Sequence, residues 1–364
     1  MRLALDVSSL PYGTGVSRYT QNLLSALMAY SPQDSWLAYG SSLRQFRSLK
    51  RQVDKLPPAL KTALYPLPPL LVANFFYLTN LPLTRLLGPI DLIHAWDWYT
   101  PNPGRAALVS TVHDLALFKT EVVAHSQIRR YHRLSLERLI KFKAWFITVS
   151  TTTKQDLIDL FAIDPERITV IPEALPKERQ VTVTAATATA VLTQYRLTKP
   201  YFLFVGSLEP RKNLTRQIDA WKHFQKDYDL VIVGAQGWQA VPTQPGLHYL
   251  SAVNDHELAC LYRTAQLLLY VSLYEGFGLP ILEAFFYQLP VVTGNLSSMP
   301  EVGGDAVVLC QPQSVASIIQ GIGQALLHRP ALITRGQARL ELFSWDQIAA
   351  QTYAVYQQAM AANN

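Results

Sequence analysis

Cysteine is scarce: Cys260 and Cys310 are the two thiols in 364 residues. Two cysteines cannot build a disulfide framework, so a reducing compartment is expected. They are also too few for a structural zinc site. Charge is sparse as well, at 16% of residues against 49% hydrophobic, which excludes a disordered chain. No uninterrupted apolar run is long enough to span a bilayer. The most apolar stretch, Leu64–Pro89, is broken by Pro66, Pro68, Pro69, Pro82 and Arg85. It reads as a buried helical layer, with a surface resting on a membrane as the alternative. The first residues, MRLALDVSSLPYGTG, hold a short apolar run interrupted by Asp6. They lack the apolar core and cleavage site of a signal peptide, so a cytoplasmic location is expected.

The formal net charge is +6. Its basic residues gather in two runs, Arg44, Arg47, Lys50, Arg51, Lys55 and Lys61, then Arg129, Arg130, Arg133, Arg138, Lys141 and Lys143. Such runs are solvated helix faces or surfaces facing an anionic lipid or substrate. Nucleic acid is not an expected partner, because the runs lack interleaved stacking aromatics.

Short apolar segments alternate with helical ones. RLALDV reads as a buried strand, and VSRYTQNLLSALMAY as a helix with Leu23, Leu24, Leu27 and Met28 on one face. Strands are expected at DLIHAW, ALVSTVHDL and ITVIPEAL, and a helix at QDLIDLFA. A Thr/Ala-rich stretch at 176–199 interrupts the pattern. The alternation then restarts at YFLFVGSL and continues through DLVIVGA, LLLYVS and PVVTG. Repeated βαβ order implies parallel sheets, hence two doubly wound α/β domains facing across a cleft. The expected division is an N-terminal domain over 1–175, a linker over 176–199 and a C-terminal domain over 200–344. A terminal helix at about 345–364 is expected to pack back on the first domain.

Four motifs fall at strand ends. In PYGTGVSRYT, Gly13 and Gly15 permit close backbone approach at a helix start that favours an anion. Arg18 stands where a dinucleotide fingerprint wants its third glycine, which argues against a dehydrogenase. In GSLEPRKN, Arg211 and Lys212 can converge on a diphosphate. In TVHDL, His113 ends a strand beside Asp114. In YEGFGLPILEAFF, Pro280 suits a first helical turn, with Glu275 in the loop before it and Glu283 within the helix. Gly276 and Gly278 leave that loop's N–H groups open. Carboxylates repel phosphate but accept from sugar hydroxyls. A diphosphate with a sugar at each end, a nucleotide sugar, fits the layout. No Asp-x-Asp motif that would chelate magnesium to a diphosphate is expected in the sequence.

These segments, with SSMPEVGGDA and the terminal FSW…VY, resemble the retaining family-4 glycosyltransferases of the GT-B fold, built of two Rossmann-like domains. The resemblance implies a hexosyltransferase with Glu283 on the ribose hydroxyls and Glu275 on the donor sugar beside its anomeric carbon. Arg211 and Lys212 would hold the diphosphate, and the N–H groups of Gly278 and Leu279 would support the phosphates. Gly13 and Gly15 open the facing loop, with Gly15 closing on the phosphates, and His113 would lie near the transferred sugar. No cofactor or obligatory metal is implied. The form of GSLEPRKN leans toward mannose. The acceptor would be a glycan or lipid-linked oligosaccharide of cell-surface polysaccharide synthesis, with peripheral contact at an anionic inner membrane face. Competing readings are a non-hydrolysing sugar-nucleotide epimerase and a catalytically dead sugar-nucleotide-binding protein. Gln288 stands where a glycine is usual, KFKAWFITVS lacks the usual Ala-Asp, and Glu173 stands where Asn or Gly is commoner. These departures are expected to touch none of the site residues, Glu173 tuning the hinge or the acceptor side.

Overall fold

The computed structural model describes residues 1–96, 98–119, 126–235, 237 and 241–363. They divide into two compact units. One comprises Met1–Phe118, the described part of 123–173 and the segment from Ser344; the other comprises Ala174–Phe343.

The first unit is built on seven parallel strands: β1 Arg2–Asp6, β2 Ser35–Ser41, β3 Lys61–Tyr65, β4 Leu92–Trp96, β5 Ala107–Val112, β6 Trp145–Thr148 and β7 Ile168–Val170. Their order is β3-β2-β1-β4-β5-β6-β7. Strands β4 and β5 are buried at every position. Apart from the buried His94, Ser110 and Thr111 they are apolar, as a parallel sheet covered on both faces requires. The helix Gly15–Tyr30 lays Leu23, Leu24 and Leu27 against the core. Packed on it is the terminal helix Trp345–Ala361, which belongs to this unit. Tyr353 Oη of that helix donates to Asp34 Oδ2 at 2.6 Å. Tyr356 Oη lies 2.6 Å from Nδ1 of the buried His94, whose Nε2 meets Thr111 Oγ1 at 2.9 Å.

The second unit carries six parallel strands: β8 Tyr201–Val205, β9 Asp229–Val233, β10 Leu247–Leu250, β11 Leu267–Tyr270, β12 Val291–Gly294 and β13 Val308–Cys310. Their order is β10-β9-β8-β11-β12-β13. Phe202, Phe204, Trp221, Ile232, Leu269 and Ile322 centre one core cluster.

Two expectations need correction. The stretch 176–199 is part of the second unit. Thr184 and Thr187 form a capping box that starts the helix Ala185–Gln194, and Ala188 and Val191 bury one side of it. Threonine is a weak helix former inside a helix but a strong cap, so composition alone reads as linker. The Leu64–Pro89 stretch is not a buried layer. It holds the end of β3, then a helix Pro69–Thr79 that buries Ala73 and Phe76 while leaving Leu71, Phe75 and Leu78 exposed, Leu78 at 87%. Among the described residues no helix is long and apolar enough to cross a membrane.

Candidate active site

In the second sheet β8 neighbours β11, yet the chain continues from β8 to β9 on one side and from β11 to β12 on the other. Loops leaving the carboxyl ends of two such strands diverge and open a crevice. Both loops here are charged. Lys212 Nζ donates to Glu275 Oε1 at 2.7 Å and lies 2.9 Å from Oε2. Arg211 Nη1 donates to the same Oε2 at 2.9 Å, and its Nε to Glu209 Oε2 at 2.7 Å. Lys212 and Glu275 are buried. Burial would raise the Glu275 carboxyl, but Lys212 and Arg211 overcome it and hold the group down at about 2. Glu275 is therefore an anion at any working pH. It also keeps two cations side by side that would otherwise repel.

Polar groups buried behind these loops fix them. Gln217, fully buried on the helix Leu214–Trp221, donates to Lys212 C=O at 2.6 Å and accepts from Val271 N–H at 3.0 Å. Asn213, in the left-handed region at φ 58°, donates to Val271 C=O and Pro312 C=O. Ser297 Oγ donates to Glu275 C=O at 2.5 Å, and Ser298 Oγ lies 3.0 and 2.7 Å from the carbonyls of Glu275 and Phe277. The carbonyls on both sides of the charge cluster are thus satisfied without water.

Gly278 precedes the helix Leu279–Phe286 at φ 115°, a conformation that glycine adopts without strain. No side chain caps this helix, and Pro280 has no N–H to satisfy. Glu283 is buried on it, and Arg179 Nε stands 3.2 Å from its Oε1. Arg179 also pairs with Asp255 at 3.3 Å. The structure therefore brings together Arg211, Lys212 and Glu275, with Gly278 and Leu279 on the same loop–helix segment and Glu283 farther along that helix.

The remaining expected residues lie in the first unit. Gly13, at φ 65°, ends a short 3-10 turn after β1. Gly15 is the first residue of the helix Gly15–Tyr30, which Thr14 and Ser17 cap reciprocally. A cavity of about 290 Å³ beside this loop is lined by Ser8, Tyr12, Thr14, Val16 and Trp98 among others. His113 follows β5, and its Nδ1 lies 2.8 Å from Glu173 Oε1. The expectation that Glu173 touches no site residue is therefore overturned: β7 ends three residues before it and brings the chain alongside β5 through β6. Asp114 accepts from Ala116 N–H in a local turn.

Arg179, Gln217, Ser297 and Ser298 escaped the sequence reading. A glutamine on the apolar face of an amphipathic helix and an arginine in a Thr/Ala-rich stretch were the available signals. The expectation of no Asp-x-Asp is corrected, since Asp227-Tyr228-Asp229 has that spacing. This one Asp-x-Asp spacing sits at the amino end of β9, the opposite edge of the sheet, where Asp229 pairs with His248 and Lys199.

Two doubly wound parallel-sheet units, with a buried Lys–Glu–Arg cluster at a strand switch point, have the architecture of nucleotide-binding enzymes. A model of the family Glycosyl transferases group 1 matches residues 193–338, and one of Glycosyltransferase Family 4 matches 13–179. The O-antigen chain mannosyltransferase B of Escherichia coli is 33% identical over 282 residues, 73% of this chain and 74% of that protein. The O-antigen chain mannosyltransferase RfbU of Salmonella typhimurium is 26% identical over 353 residues, covering 92% of this chain and 94% of its own. The fold is shared with Anabaena Alr3699/HepE, solved in complex with UDP and glucose, at a TM-score of 0.72, 17% identity and coverage of 98% and 99% of the two chains. The chain belongs to the family-4, group 1 glycosyltransferases, of GT-B fold, and is a hexosyltransferase.

Proposed function

We propose that this enzyme moves a hexose, mannose in the favoured case, from a nucleoside-diphosphate sugar to an acceptor hydroxyl with retention of anomeric configuration. The observation that carries this reading is the buried Lys212–Glu275–Arg211 cluster at the β8/β11 switch point. As the glycosidic bond of the donor breaks, negative charge grows on the leaving diphosphate. Lys212, Arg211 and the uncapped helix start at Gly278 and Leu279 are placed to meet it. Positive charge grows on the sugar ring, and the anionic Glu275 stabilises it. Glu283, steadied by Arg179, accepts from the ribose hydroxyls. Gly13 and Gly15 leave their loop's backbone open beside the cavity of the first unit, which would take part of the acceptor. The reading calls for no metal, since the two cations do its work on the diphosphate.

The named activity of the relatives supports mannose as the transferred sugar and a polysaccharide or lipid-linked oligosaccharide as the acceptor. Exposed Leu71, Phe75 and Leu78 on one helix, preceded in the chain by the exposed Arg47, Lys50 and Arg51, support contact with an anionic cytoplasmic membrane face. A panel of nucleoside-diphosphate sugars scored first by thermal shift and then by turnover tests the donor. NMR of the product's anomeric proton tests retention. An inverted product, or turnover with none of the panel, would sink the reading.

A further inference from the structure

We propose that Glu173 is a positioning residue for His113, fixing the ring so that its Nε2 faces a hydroxyl of a bound sugar substrate. This rests on the transferase reading above. The geometry starts from Nδ1, 2.8 Å from Glu173 Oε1. A carboxylate oxygen accepts, so Nδ1 carries a proton and Nε2 is the ring nitrogen left to meet a ligand. Among the described residues, Nε2 is buried and has no hydrogen-bond partner. A buried polar atom left unmet is costly, and a ligand hydroxyl would satisfy it.

The ring cannot turn away to relieve it. Tyr19 packs against it edge-on, with centroids 4.8 Å apart and planes at 89°, and Trp96 lies 5.8 Å away, tilted by 32°. The His113 carbonyl is itself anchored by Thr153 Oγ1 at 3.4 Å. A His–Glu pair that served packing alone would have no use for an orphaned nitrogen at the carboxyl end of β5. Glu173 is also the position at which this chain departs from the commoner Asn or Gly. Neither of those could reach the ring with a carboxylate of this length.

The test pairs a spectroscopic readout with kinetics. In protein labelled with ¹⁵N-histidine, the His113 ring, assigned with His113→Asn, is expected to show a protonated Nδ1 and a bare Nε2. In Glu173→Ala the ring should shift toward the Nε2–H tautomer that a free histidine side chain prefers. That variant should lose kcat by about tenfold or more with KM for the donor changed little, as when a histidine's orienting acid is removed. Glu173→Gln, whose amide oxygen can still accept from Nδ1–H, should keep most of the activity. The double variant His113→Ala/Glu173→Ala should be no slower than His113→Ala within about twofold, because the two act as a unit. Where Glu173→Ala does not fold, Glu173→Met keeps the volume and serves instead. An unchanged tautomer, or losses that add in the double variant, would overturn the role. Absence of transfer by the wild-type protein would instead overturn the transferase reading, while the ring spectrum still reports on Glu173's hold.

Discussion

The side chain with the most consequences is Glu275. It serves as counter-ion to Lys212 and Arg211 in the resting site and as the proposed stabiliser of charge on the donor sugar. Glu275→Ala is expected to abolish transfer, while nucleoside-diphosphate affinity by calorimetry stays within a few-fold or rises, since two cations lose their internal partner. Normal turnover would remove the residue from the chemistry. The same carboxyl sets an acid limit. Its folded value, about 2, lies below the ordinary carboxylate value of 4.5, so its contribution to stability is complete above 4.5 and is lost as pH falls toward 2. A shift of that size corresponds to ~3 kcal/mol. Urea midpoints measured from pH 6 down to pH 2.5 should fall more steeply in the wild type than in Glu275→Gln.

Secondary-structure elements hold that chemistry through a few buried polar bridges. Gln217 ties the loop after β8 to the loop after β11 by bonding Lys212 C=O and Val271 N–H at once. Gln217→Leu leaves both groups buried and unpaired, an expected cost of about 1–3 kcal/mol for each. Activity should fall with it even in protein shown to be folded by circular dichroism, because Lys212 loses its fixed position. Gly278→Ala places a Cβ at φ 115°, 3.4 Å from Ile281 Cδ1. It is expected to destabilise by roughly 1–2 kcal/mol and to weaken diphosphate binding through the displaced helix start, measurable by thermal melts with and without nucleotide.

At the scale of the whole molecule, the C-terminal segment ties the end of the chain to its first unit. Tyr356→Phe removes the partner of buried His94 Nδ1 and is expected to cost about 1–3 kcal/mol, read by urea unfolding. Transfer at saturating donor should persist. Flotation with neutral and anionic vesicles addresses the exposed Leu71, Phe75 and Leu78. Binding to neither would leave a soluble acceptor, and Leu78→Glu should weaken any binding seen. Chelation by EDTA should leave turnover intact, since the proposed catalytic cations are side chains.

The sequence by itself determined the parallel α/β class, most central strands and the charged turns after β8 and β11. Buried parallel strands are largely apolar, and glycine or proline marks many of the turns that end them. Strand β2 and the edge strands β3, β10 and β13 were not legible. They are short or mixed in polarity, and they pair through backbone groups that carry no sequence signal. Periodicity also took Pro69–Thr79 for buried, because an apolar helix reads alike whether a neighbour covers it or not. Only the tertiary structure decided that Arg179 meets Glu283, that Gln217 braces Lys212 and that Glu173 holds His113. Each contact joins residues from separate elements, and strand order, which no local pattern encodes, decides which elements are neighbours.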